Sequence, residues 1–157
     1  MFSASTIAQL NQRISNFNAQ TGKEIVVLTV PSLNGASLQS AASSAFSSQN
    51  VNGVLIFIAK SERRDIIVPD NAGVRAGWFT PDVTRGIRQA MEAQFRTENY
   101  DAGIAAAVDG VLNVYRAHTG SLQSQSNAGY SRAPATVRIA RLGCGQRVYT
   151  LSRSEPV

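Results

Sequence analysis

The chain is poor in the residues from which many catalytic centres are built. It has one cysteine, Cys144, so no internal disulfide can form, and one histidine, His118, which has no second imidazole to work with. Cys144 stands in Gly-Cys-Gly, and Thr150 occupies the place where a Cys-x5-Arg phosphate loop needs arginine. An incidental thiol is the reading of Cys144. Long apolar runs are missing too: none approaches the roughly 20 residues that span a bilayer. Polar residues interrupt the first helical stretch, so no signal peptide is expected at Met1. A soluble, monomeric domain is expected, with any leader or anchor lying outside this chain.

Charge is scarce and unevenly placed. Only 16% of the residues are Asp, Glu, Lys or Arg, and the net charge is +5. Residues 1–117 hold ten basic against nine acidic side chains, whereas 118–157 hold five arginines against Glu155. The basic character therefore belongs to the tail, where it would attract any polyanion weakly by counterion release. No cluster of Arg with Asn or Gln resembles a recognition helix, so no specific nucleic-acid partner is expected.

What is present is a run of strands and amphipathic helices. Gly53–Ala59 is almost wholly apolar and rich in β-branched residues, as in a strand buried on both faces. The polar turn Ser61–Arg64 and the apolar Ile66–Val68 follow, and so short a connection allows only an antiparallel hairpin. Asn52 and Asp70-Asn71 then lie side by side, away from Arg63-Arg64. Upstream, Ile7, Leu10, Ile14 and Phe17 mark a helix that Gly22 ends. Glu24–Val30 is a second buried strand, and residues 37–46 form a small-residue helix. This strand–helix–strand order predicts a right-handed crossover between parallel strands. After a Gly-rich loop, 70–77, Thr80 caps a helix with Pro81 at N1 and Asp82 near its positive end. A last helix, with Asp101 as N-cap, buries Ile104, Val108, Val111, Leu112 and Tyr115.

The expected fold is α/β: a three-layer α/β/α sandwich around a small mixed sheet of three to four strands, covering residues 1–117. From about His118, Ser, Gln, Asn and Gly dominate. Residues 118–157 read as a basic, low-complexity tail that is disordered or forms a marginal hairpin over 136–142 and 147–151.

Several motifs in order resemble the TPM domain family. Thr21-Gly-Lys-Glu-Ile-Val-Val-Leu-Thr-Val30-Pro-Ser-Leu-Asn-Gly35 is similar to its opening. Asn52-Gly-Val-Leu-Ile-Phe-Ile-Ala-Lys60 resembles its second strand, and Arg63-Arg64 its basic turn. Phe95-Arg96 with Tyr100-Asp-Ala-Gly-Ile104 resembles its Phe-Arg to Gly-Ile junction. The resemblance implies the α/β/α fold and an extracytoplasmic setting: periplasmic, extracellular or thylakoid-lumen. It also implies a link to membrane-protein maintenance or assembly of the photosystem II repair type, with a membrane protein or membrane-associated complex as partner. Some members are described as acid phosphatases, and some bind calcium or another divalent ion. The sequence departs from the family where its Asp-Asn-Gly becomes Val51-Asn52-Gly53 and its Gly-rich turn becomes Pro69-Asp70-Asn71.

Asn52, Asp70, Asn71 and Asp82 are the candidate ligands for such an ion, because calcium takes six to eight oxygens. Their alternative is ordinary turn chemistry, Asp and Asn bonding their own backbone. Arg63-Arg64 could grip phosphate or form a solvated tip. Trp78-Phe79 could be a partner-binding lip or core. His118 is expected to be exposed, without a partner. Two functions stay open: an accessory or binding domain, or a metal-dependent acid phosphatase-like phosphohydrolase.

Overall fold

The computed structural model describes residues 1–118, together with the backbone of 138–141 and 149–150. Helix α1 (Ala4–Thr21) starts on Ser3, whose hydroxyl accepts the Thr6 N–H. It stops at Gly22, which takes φ 72° so that its own N–H can reach the Asn18 carbonyl. Strand β1 (Glu24–Val30) follows, then helix α2 (Leu38–Ser48), strand β2 (Gly53–Ala59) and strand β3 (Arg64–Pro69). A five-residue helix, α3 (Asn71–Arg75), occupies part of the loop expected from its glycines to be irregular. Helices α4 (Pro81–Arg96) and α5 (Tyr100–Ala117) complete the layer. Thr80 caps α4 with Pro81 in its first turn, as its sequence signals.

β1 and β2 pair in parallel, Glu24 opposite Gly53 through Val30 opposite Ala59, and β2 and β3 form the antiparallel hairpin. Two short strands, β4 (Arg138–Arg141) and β5 (Tyr149–Thr150), extend the sheet beyond β1, giving the order β3-β2-β1-β4-β5. The rest of the region from 119 onward, Cys144 included, lies outside the described residues.

Alternation along the strands divides the core in two. Ile25, Val27, Val54, Ile56, Ile58 and Ile67 face α1, α4 and α5, where Leu10, Ile14, Met91, Val108 and Tyr115 meet them. Val26, Leu28, Leu55, Phe57 and Ala59 face α2 and its Leu38, Ala42 and Ala45. Successive side chains of a strand point to opposite faces. A strand that is apolar at every position must therefore be covered on both, and β2 is buried throughout. The α/β/α sandwich with a mixed sheet expected from the sequence is the fold found.

Polar contacts fix two helices to this frame. Asp65, 4% exposed on β3, accepts the Arg88 Nε–H of α4 at 2.9 Å, and Arg88 reaches Glu92 at 2.9 Å. On α5 the N-cap is Asn99, not the expected Asp101. Asp101 instead accepts the Ser3 N–H at 2.8 Å and ties the start of α1 to α5. Burial raises the Asp65 carboxyl above 3.8 although Arg88 opposes the shift, while the Ser3 N–H holds Asp101 below 3.8. The two act oppositely on stability. The contribution of Asp65 is complete below 3.8 and lost as pH rises through its raised value. That of Asp101 is complete above 3.8 and lost as pH falls through its lowered value. Carboxyl 13C shifts followed from neutral to acid pH should show Asp65 protonating before Asp101.

Candidate binding site at the Asn52 and Asp70 loops

The hairpin brings the start of β2 and the end of β3 together: the Asp70 N–H donates to the Gly53 carbonyl at 2.7 Å. The parallel register adds the start of β1, where the Glu24 N–H donates to the Asn52 carbonyl at 2.8 Å. Three segments are thus laced at one end of the sheet. Asn52 binds them further, its Nδ2 donating to the Gly22 carbonyl at 3.1 Å and its backbone N–H to Glu24 Oε2 at 3.3 Å.

Lys23 sits at the centre. Its Nζ donates to Asp70 Oδ2 at 2.8 Å and to Asn52 Oδ1 at 3.3 Å. Both charged side chains are mostly covered, 15% and 12% exposed. The other carboxylate oxygen of Asp70 accepts the Gly73 N–H at 2.8 Å and caps α3. This is the turn chemistry that the sequence offered as the alternative reading of Asp70. Gly73 has no room to spare: a Cβ there would lie 2.9 Å from the Phe79 ring and 3.1 Å from Asp70 Oδ1.

Beneath the pair lies an aromatic layer. Tyr115 is fully buried, its ring 4.9 Å from Phe17, 5.2 Å from Phe79 and 6.1 Å from Trp78. Burial, and then the charge of Asp70, push its phenol well above the ordinary value of 10. Among the described residues its hydroxyl has no hydrogen-bond partner. Trp78 and Phe79 belong to the core rather than to an exposed lip. His118, expected to stand alone in solvent, stacks on Trp78 with ring centres 5.0 Å apart and planes 7° from parallel.

Of the four candidate ligands, Asn52 and Asp70 meet through Lys23. Asn71 follows Asp70 as the first residue of α3 and is exposed. Asp82 is not drawn in: its carboxylate, 87% exposed, pairs with Arg85 at 3.0 Å. Of the two candidate carboxylates, only that of Asp70 lies at this end, beside the Glu24 carboxylate that accepts the Asn52 N–H. The Asp70 oxygens already carry an ammonium and a backbone N–H. Calcium, which needs several free oxygens at about 2.4 Å, does not fit this arrangement while Lys23 holds it. Sequence reasoning missed Lys23. The available signal was the parallel pairing, since aligning Glu24 with Gly53 places residue 23 beside residue 52.

A mixed α/β/α sandwich with several loops gathered at one end of the sheet is an architecture shared by many unrelated activities. Comparison with known families is specific: the TPM domain model matches residues 1–114, and the chain belongs to the TPM domain family. Among solved structures, the N-terminal domain of a P. gingivalis protein is similar at 25% identity and TM-score 0.62, covering 78% of this chain and 79% of that one. The BA42 protein of Bizionia argentinensis is similar at 19% identity and TM-score 0.66, over 90% and 95% of the two chains. The N-terminal domain of the cg2496 protein from Corynebacterium glutamicum is similar at 17% identity and TM-score 0.57, over 94% and 84%. No curated protein matches significantly. Among the described residues, no helix is long and apolar enough to cross a membrane.

Proposed function

We propose that the chain is an extracytoplasmic TPM-type accessory or binding domain that serves the maintenance or assembly of membrane proteins. Its recognition end is formed by the Lys23, Asn52 and Asp70 loops. Family membership supports the class. The observation that favours binding over turnover is the Lys23–Asp70 ion pair. A metal-assisted hydrolase needs a carboxylate free to hold an ion or a positioned water, and Asp70 is committed to an internal cation and to its own helix cap. A divalent ion such as calcium would enter only by displacing the Lys23 ammonium.

Release of nitrophenol from its phosphate ester, with calcium, magnesium or manganese added, tests this reading. No turnover above buffer is expected at any pH from 5 to 8. Turnover that disappears in Asp70→Ala would overturn it in favour of the phosphohydrolase.

A further inference from the structure

The opposite end of the hairpin carries a second, unrelated feature. β2 is seven residues long, so its two ends stand about 20 Å apart at the strand rise of roughly 3.3 Å per residue. At the far end a hollow of about 520 Å³ opens between the hairpin tip and the α4–α5 turn. Its size is in the range of small-ligand sites, roughly 300–1,000 Å³. Ile58 and Ala59 line it, as do Phe95 and Tyr100, whose rings are 5.5 Å apart.

Its rim is cationic. Lys60, Arg63 and Arg64 of the tip and Arg96 of α4 all line it. Of the six other Lys and Arg in residues 1–118, four hold a carboxylate: Arg13 holds Asp109, Lys23 Asp70, Arg85 Asp82, and Arg88 both Asp65 and Glu92. None of the four rim cations is in an ion pair with a described residue. The acid nearest them in sequence, Glu62, is engaged elsewhere: its Oε1 accepts the Ser32 hydroxyl at 2.7 Å and the Leu33 N–H at 2.9 Å. Those bonds hold its carboxyl below 4.5 and keep the tip anchored on the β1–α2 loop. Of the two carboxylates in the lining, Glu92 belongs to Arg88, which leaves Glu98 facing four cations. Arg63 adopts φ 50°, a conformation that glycine or asparagine reaches more cheaply.

We propose that this hollow binds an organic anion: a phosphate group held by Arg63, Arg64, Arg96 and Lys60, with an apolar or aromatic body against Phe95 and Tyr100. Guanidinium groups match phosphate oxygens in forked pairs, and the excess of positive charge suits a dianion. The phosphate could be that of a soluble ester or of a lipid headgroup. The site is independent of the Lys23–Asp70 end, and its binding involves no metal and no bond cleavage.

An amide NMR titration of the full chain with phenylphosphonate, which resists hydrolysis, and with inorganic phosphate tests it. Vesicles of phosphatidylcholine with and without phosphatidylglycerol form the lipid arm. Shifts should centre on residues 58–64 and 95–100. Phenylphosphonate should bind about tenfold more tightly than phosphate, since it alone reaches the Phe95 and Tyr100 rings. The exposed pair of changes Arg63→Gln and Arg96→Gln should weaken binding at least about tenfold with an unchanged amide spectrum elsewhere. Phosphonate binding without vesicle binding assigns a soluble ester. Vesicle binding that needs phosphatidylglycerol and is lost in the double variant assigns a lipid headgroup. Shifts centred on the basic tail, equal affinity in the double variant, or no response to either ligand or vesicles would overturn the proposal.

Discussion

Replacing Gly53 with alanine is expected to lower the stability of the domain by about 3 kcal/mol, the sum of local backbone strain and a forced shift of packed strands. Gly53 has φ 156°, and a Cβ there would run into the Glu24 carbonyl oxygen and lie 2.8 Å from the Glu24 nitrogen. These are backbone atoms of the adjacent strand, paired with Gly53 in register, so no side-chain rotation relieves the collision. The change should loosen the start of β1 against β2 and, with it, the placement of Lys23 beside Asn52. Urea unfolding measures the first effect. Hydrogen exchange at the Glu24 amide measures the second, which should speed up far more than exchange at Leu28. A variant as stable as the parent would show that the strands do not approach so closely.

Tyr115 supplies the other large effect, and a contrast. Truncation to alanine should cost about 4 kcal/mol, since a fully buried ring in contact with Phe17, Trp78 and Phe79 leaves a large cavity. Tyr115→Phe should be neutral or stabilising by up to about 1 kcal/mol. It keeps the ring and removes a buried hydroxyl that none of the described residues satisfies. Equilibrium unfolding of both variants checks this. A loss of more than about 1 kcal/mol in Tyr115→Phe would mean that the hydroxyl is bonded after all, for which a buried water between it and Asp70 is the natural candidate.

The features that local chemistry decides were legible in the sequence. Unbroken apolar runs at 24–30 and 53–59 announce strands covered on both faces. The four polar residues 61–64 leave only a hairpin, and Gly22, Thr80 and Pro81 mark helix ends by mechanisms that need no tertiary contact. From those elements the meeting of Asn52 and Asp70 follows. What stayed hidden depends on partners far along the chain. Lys23 joins residues 29 and 47 positions away, and a lysine beside a glycine reads as solvent-exposed. Asp101 reads as a cap for its own helix, but the Ser3 N–H, 98 residues away, takes it first. The glycines of 70–77 suggested an irregular loop, yet Asp70 captures the Gly73 N–H and starts a turn of helix. His118 looked isolated because no periodicity reports that Trp78 lies under it. The cationic hollow was visible only in part, as Arg63-Arg64. Arg96 joins them because α4 ends beside the hairpin tip.

Lys23 as the resident cation of the Asn52 and Asp70 loops is most directly tested by following amide shifts during a calcium titration. At calcium up to about 5 mM, well above sensor-type affinities, the amides of Lys23, Asn52, Gly53 and Asp70 to Gly73 should stay in place. In Lys23→Met, which frees the Asp70 carboxylate, the same amides should respond. Saturable shifts centred on those residues in the unaltered protein would show that an ion, not the lysine, holds this end of the sheet.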